Sequence, residues 1–387
     1  MMNVYFDNAA TTQMHPQVLN AMMPYLKGNY GNPSSIHSFG RKVRVALEEA
    51  RETAAEFIGA NPSEIYFVSS GTEANNFPIF GISKTVFKED GRKHLITSQA
   101  EHACVLETFK ELEQEGFSTS YISIKENGII DLNKLLEAIT DNTSLVSLIH
   151  VNNETGSINP IHELADKINN PNIFIHTDAV QSFGKTSINV QRLGIHALSA
   201  SAHKIHGPKG VGMVYCKSGT PLSPMIFGGS QERNRRGGTE FAAGIIGFAE
   251  AIRLSINNMS NHFDHTKELR DYFIELLSGT AINGITINDK DHASPYVLSL
   301  TFDSNIYNND AEAMLMFLDI NGIAASNGAA CTSGTLKPSH VITSMGKPKN
   351  DAWGTIRFSF SYFNTKEEVE YVVENLGKMA KKFKKKS

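Results

Sequence analysis

The chain has 387 residues, 41% of them hydrophobic and 20% charged, with a formal charge of -4. That length suits two or three domains, and the composition excludes a disordered, collagenous or membrane-embedded main state. With 36 Lys and Arg against 40 Asp and Glu, no bulk basic field for nucleic acid exists, so any charged partner is met by a local patch.

The elements read in chain order as follows. The first residues, Val4-Tyr5-Phe6-Asp7, follow no basic and apolar leader, and no run reaches the length of a membrane span, so a cytoplasmic protein without membrane contact is expected. From Arg41 to Ile58 the apolar positions recur at helical spacing and Gly59 follows as a C-cap, which predicts an amphipathic helix. Ile65 to Val68, then Ser69-Ser70-Gly71-Thr72-Glu73, then a helical composition read as strand, tight turn and helix. Further strands are expected at His94 to Thr97, Thr119 to Ser123, Leu145 to Val151, Ile173 to Thr177, Ala197 to Ser201 and Val211 to Tyr215, several separated by helical patterns such as Ile161 to Ile168. Strands alternating with helices predict a parallel α/β sheet covered on both faces.

After about Asn257 the character changes. A helix from Asp264 to Leu277, strands around Ile285 to Ile287 and Val297 to Phe302, a helix near Ala311 to Asn321 and a last one from Thr365 predict a smaller α+β domain completed by the first dozen residues. The expected division is 16–257 for a large domain, with 1–15 and 258–387 in the small one. The stretch Lys378 to Ser387 holds six lysines and reads as a solvated helix C-terminus, where cations are favoured.

Candidate chemistry sits just past the strands, because ligands of open parallel sheets bind beyond their carboxyl ends. Asn152-Asn153-Glu154, Asp178 with Gln181, and His203-Lys204 follow three consecutive strands about one strand-helix-strand repeat apart. An isolated Asp is more often a cap and an isolated Lys more often solvated. Together, an acid and a lysine match the needs of pyridoxal phosphate: an amine for its aldehyde and a carboxylate for its ring nitrogen. The Ser70-Gly71-Thr72 turn at a helix start suits the phosphate, and His102, after the next strand, suits the ring face and proton movement. The cysteines Cys104, Cys216 and Cys331 lack CxxC spacing, which argues against disulfides and a cysteine metal site and leaves no metal expected. Cys104 and Cys216 read as small packing residues. Cys331 lies in Ser326-Asn327-Gly328-Ala329-Ala330-Cys331-Thr332-Ser333-Gly334, whose small and polar residues suit an accessible, reactive thiol.

These residues resemble a known family. Asp7-Asn8-Ala9-Ala10-Thr11-Thr12, Gly31-Asn32-Pro33-Ser34-Ser35, Gly71-Thr72-Glu73-Ala74-Asn75-Asn76, Glu101-His102, Asn152-Asn153-Glu154-Thr155-Gly156, Asp178-Ala179-Val180-Gln181-Ser182 and Ser201-Ala202-His203-Lys204 are similar to the successive motifs of NifS/IscS-type cysteine desulfurases, within the class V, fold-type I aminotransferases. The resemblance implies a large domain with a mostly parallel seven-stranded sheet, a smaller α+β domain and a homodimer with its active sites at the interface. It also implies that Lys204 holds pyridoxal 5'-phosphate, Asp178 pairs with the ring nitrogen and His102 stacks on the ring. Asn153 and Gln181 would address the phenolic oxygen, and Gly71, Thr72, Ser201 and His203 the phosphate, which Thr239 of the partner subunit completes. Arg357, with Asn32, would take the carboxylate of L-cysteine. Cys331 would carry the sulfur as a persulfide, leaving alanine, and pass it to an acceptor protein, with iron-sulfur cluster assembly the expected use and no direct contact with nucleic acid. Asn327 and Ala329 depart from the family's usual wording before the cysteine. The rival readings are another class V enzyme, such as an aminotransferase or selenocysteine lyase, and a catalytically silent scaffold.

Overall fold

A computed structural model describes residues 2–328 and 337–386. The strands of the main sheet are β2 (Ile65–Val68), β3 (His94–Ser98), β4 (Ser118–Ile122), β5 (Thr143–Ile149), β6 (Phe174–Asp178), β7 (Ala197–Ser201) and β8 (Gly212–Cys216), preceded in the chain by β1 (Val4–Tyr5). The seven pair in the order β2-β8-β7-β6-β5-β3-β4. β8 is antiparallel to both its neighbours and the other pairings are parallel. The sheet is therefore α/β and mostly parallel, as expected.

Both faces of this sheet are buried, and the side-chain period of two shares its residues between two cores. Leu95, Leu145, Ala197 and Val214 face one core, with Phe77 and Val86 of α3 (Gly71–Asp90) and Phe109 of α4 (Ala103–Gln114). Their neighbours Ile96, Val146, Leu198 and Met213 face the other, with Val43, Leu47 and Ile58 of α2 (Ser38–Ile58), which follows α1 (Pro16–Lys27) in the chain. Helix α2 ends at Gly59 with φ +69°, the left-handed C-cap expected of a glycine there.

A separate core gathers Val4 and Phe6 with Leu269, Phe273, Leu298, Leu300, Ile356, Phe358, Val369 and Val372. It sits under a three-stranded antiparallel sheet of β9 (Ile285–Ile287), β10 (Val297–Phe302) and β12 (Thr355–Ser359), and β1 pairs with β11 (Ile323–Ala324). The helix expected from Asp264 is the second half of one helix, Ala242–Ser278. Asn257, Asn258, Ser260 and Asn261 are weak helix formers, but packing at either end overrides local preference: Phe248 and Ile252 are held in the first core, Leu269 and Phe273 in the other.

Candidate active site

The sheet brings the motifs to one edge. Asn153 follows β5, Asp178 ends β6, and Lys204 closes a single turn, Ala202–Lys204, after β7, and these three strands are neighbours. His102 caps α4 just beyond β3. β2 is antiparallel to β8, which is antiparallel to β7, so β2 runs with the parallel strands and its Ser69-Ser70-Gly71 turn opens at the same carboxyl edge.

Asp178 is buried, with Oδ1 accepting the Val180 N–H at 2.9 Å and Oδ2 the Asn75 amide at 2.7 Å. Burial pushes its carboxyl above the usual range, against the pull of His102, the two hydrogen bonds and Lys204. Its ionised form thus has most to gain from a cation placed beside it. His102 accepts the Cys104 N–H on Nδ1 at 3.2 Å, so Nε2 carries the proton of the neutral ring. Desolvation, with Lys204 and His340 nearby, holds that ring below the ordinary histidine range although Asp178 pulls the other way.

Cys104, expected to be a packing residue, belongs to this cluster. Its Sγ lies 3.0 Å from His102 Nδ1 and accepts from Asn75 at 3.3 Å. Burial and the Asp178 charge push the thiol up to about 12, and burial does the same for Cys216. Both therefore stay protonated and neither is a thiolate nucleophile at neutral pH. Asn75 was not singled out from the sequence; its signal was a polar residue on the buried face of α3, one turn after Gly71.

Lys204 donates through Nζ to the carbonyls of Ala9 and Ala10 at 2.6 and 2.7 Å. Gln181 Nε2 donates to the same Ala9 oxygen at 2.8 Å. The Asp7 to Thr12 motif thus wraps the lysine, and Thr12 ties it further by donating N–H and Oγ1 to the His203 carbonyl at 3.0 and 2.9 Å. Burial and the surrounding lysines push the His203 imidazole down to about 4, which keeps it neutral.

Beside Gly71 the site has the features of an anion cradle. Ser70 caps α3, leaving the first-turn N–H groups of a 20-residue helix pointing outward. Gly71 is needed for close approach, since a Cβ there would meet Val180 Cγ2 at 3.2 Å and Ser201 Cβ at 3.3 Å. The Ser201 hydroxyl is buried without a hydrogen-bond partner among the described residues, a costly state unless a ligand supplies one. Thr72 is exposed at the helix start, and Thr239 is exposed on the segment before the long helix. The orphaned Ser201 hydroxyl, the glycine gap and the buried Asp178 together fit a group that is anionic at one end and cationic at the other.

Arg357, on β12, is buried and donates to the Asn153 carbonyl and to Asp7 Oδ1, each at 2.8 Å. Its Nε is buried and unpaired among the described residues, so one donor of the fork remains available to a carboxylate. Asn32 was expected near it; among the described residues no hydrogen bond joins them, and the Asn32 side chain instead accepts the Ser34 N–H at 2.9 Å within its own turn. Local turn chemistry of an Asx residue takes it.

Cys331 lies outside the described residues. The chain on either side of it is anchored at the site. Ser326 and Arg357 exchange backbone hydrogen bonds, and Ser339 Oγ donates to Glu154 Oε2 at 2.5 Å. Gly328, at φ +78°, passes so close to Glu154 that a Cβ would stand 2.7 Å from Oε2. Glu154, next to Asn153, thus touches both flanks, a role that spacing alone did not disclose.

Comparison with known proteins bears on this geometry. The model of the family "Aminotransferase class-V" matches residues 4–372. Cysteine desulfurase IscS of Dictyoglomus turgidum is 43% identical over 98% of this chain and 95% of that protein. A putative cysteine desulfurase, IscS 1 of Bacillus subtilis, is 40% identical over 99% of this chain and 100% of that one. Among solved structures, a NifS-like protein superposes with a TM-score of 0.88 at 35% identity, covering 98% and 99% of the two chains. SspA in complex with cysteine superposes with a TM-score of 0.81 at 34% identity, covering 94% of this chain and all of the other.

Proposed function

The chain belongs to the class V aminotransferase family and is a cysteine desulfurase, and on that premise we propose that it takes sulfur from L-cysteine with pyridoxal phosphate held at Lys204 and Asp178. The observation that carries the assignment is the convergence of Lys204, buried Asp178 and the Gly71 turn, with its unpaired Ser201 hydroxyl, on one sheet edge. Bound there, the cofactor supplies an electron sink for the substrate α carbon.

The residues divide the work. The N–H groups of Gly71 and Thr72, Ser201 Oγ and His203 take the phosphate, and Thr239 of the partner subunit completes the cradle in a homodimer. Asp178 faces the ring nitrogen, His102 the ring plane, and Asn153 and Gln181 the phenolic oxygen. Arg357 receives the substrate carboxylate, with Asn32 assigned to the same end of the substrate. Lys204 Nζ takes the α proton, and His102 Nε2 assists proton movement. The Cys331 thiolate then attacks the substrate sulfur: an S–S bond forms as the Cβ–S bond breaks, its electron pair stays with carbon, and one proton added at Cβ together with return of the α proton from Lys204 Nζ gives alanine. Cys104 and Cys216, held as thiols by burial, leave Cys331 as the sulfur carrier.

The persulfide passes to an acceptor protein, and iron-sulfur cluster assembly is the use we assign, supported by IscS relatives that match nearly the whole chain. The division into a cofactor domain, 16–257, and a smaller domain, 1–15 with 258–387, belongs to the same proposal and is supported by the core of Val4 and Phe6 with residues from Leu269 on, while Val341, Ile342, Met345 and Ala352 pack in a core of the main sheet. A cytoplasmic location fits thiol chemistry that requires reduced cysteines. Borohydride reduction of the pyridoxal phosphate-loaded protein followed by peptide mass mapping tests the cofactor assignment. The label is expected on Lys204; a label on another lysine, or none, would contradict it.

A further inference from the structure

Lys185 is buried, with 7% of its surface exposed, a placement that lysine takes only when something holds it there. Its Nζ donates to Gln181 Oε1 at 3.1 Å and lies 5.3 Å from the centre of the Tyr296 ring, within reach of a cation–π contact. With Lys204 it lines a cavity of about 30 Å³ that Thr12, His206, His262 and Tyr362 also border. That is room for water, not for substrate. The charged groups that act on Lys185 are Lys204 and Arg357, both cations, and it bears in turn on His203 and His206. Burial, reinforced by those cations, pushes the amine down to about 7.

Lys185 Nζ donates to Gln181 Oε1, and the Ala9 carbonyl, which can only accept, takes Nε2, so the amide lies with Oε1 toward Lys185 and Nε2 the other way. Nε2 spends one hydrogen on the Ala9 carbonyl, the same oxygen that takes Lys204 Nζ, and keeps a second. Lys185 thus reaches Lys204 through three hydrogen bonds and also acts on it through space. A methionine would fill the same volume without the cost of desolvating an amine, so packing alone does not account for the lysine.

We propose that Lys185 is a positioning residue: it fixes the Gln181 amide with its NH₂ toward the cofactor's phenolic oxygen. This rests on the pyridoxal phosphate reading above. A donor at the phenolic oxygen disfavours a proton on the lysine nitrogen, so the linkage deprotonates at lower pH.

The test is a pH titration of the visible absorption of the loaded wild type and of Lys185→Met and Lys185→Arg, with thermal melting to confirm folding. Lys185→Met is expected to raise the absorption midpoint by about one pH unit, the scale of losing one well-placed hydrogen bond to the charged form, and Lys185→Arg, which keeps a donor for Gln181, to leave it near the wild-type value. Should Lys185→Met fail to fold, Gln181→Leu takes its place and is expected to move the midpoint in the same direction. An unmoved or lowered midpoint in the folded Met or Leu variant overturns the assignment of Lys185 alone. A wild type that takes up no pyridoxal phosphate overturns the cofactor reading and this inference with it.

Discussion

Glu101 shows how far a single residue at this site is bent from its ordinary chemistry. Its Oε1 accepts from Ser98 Oγ at 2.6 Å and from the Ile149 N–H at 3.0 Å, while Oε2 is buried without a partner among the described residues. Burial pushes the carboxyl up to about 8, and the Asp178 charge adds to it, so it is protonated at neutral pH. The folded protein therefore binds this proton more tightly than the unfolded chain, whose carboxyl titrates near 4.5. Stability from this group is fully present below about pH 4.5 and declines as pH rises toward 8, by a few kcal/mol in all. Glu101→Gln should remove that decline, so the melting temperature would fall less between pH 5 and pH 8.5 in the variant than in wild type; an equal fall would contradict the assignment. The placement of Asp178, Lys204 and Asn153 at one sheet edge was legible in the sequence because each lies at the end of an apolar strand or within four residues of it. The pairs Asp7–Arg357, Asn75–Asp178 and Lys185–Gln181 were not, since each depends on side-chain direction in three dimensions and not on position along a strand.

Among the elements, the segment before the long helix holds a strained run of backbone. Glu232, Arg233 and Asn234 hold φ of +42°, +55° and +61°, a left-handed run that costs roughly 1–2 kcal/mol per residue. What holds it is the Glu232 carboxylate, which takes Arg51 at 2.8 and 2.9 Å and the Phe67 N–H at 2.9 Å. Four residues on, Arg236 bonds Glu73 at 2.9 Å, and Glu73 also accepts the Ser69 N–H at 2.8 Å. The segment carrying Thr239 is thereby tied to the Gly71 turn. Glu232→Ala would leave buried Arg51 with only the half-exposed Glu48 carboxylate at 3.3 Å and the Ile65 carbonyl at 2.8 Å, a loss of about 3 kcal/mol, and should lower both the melting temperature and the affinity for pyridoxal phosphate; a melting curve unchanged from wild type would contradict this account. The regular elements were legible from periodicity. This segment was not, because its conformation is imposed by an ion pair between residues 51 and 232, and no local pattern encodes it. The long helix was half legible for a related reason, its asparagine-rich middle being carried by packing at its two ends.

At the scale of the whole molecule, the proposed homodimer gives the apolar surface a use. Tyr30, Ile36 and Phe39 in one segment, and Phe227 and Phe241 flanking Thr239 in another, are exposed, Ile36 at 86% and Phe227 at 83%. Light scattering should give twice the chain mass of 42.5 kDa, and Phe227→Asp should shift it toward the monomer with a matching loss of cofactor affinity; a wild type that stays monomeric at micromolar concentration would count against a shared site. The central claim is that the fold brings substrate sulfur to Cys331 and leaves alanine behind. Its most direct measurement is the yield of sulfide and alanine from L-cysteine in the presence of a thiol reductant, for wild type, Cys331→Ala and Cys104→Ala. Wild type is expected to release the two products in equal amounts, Cys331→Ala to lose sulfide release, and Cys104→Ala to retain it. Full sulfide release by Cys331→Ala would contradict the account.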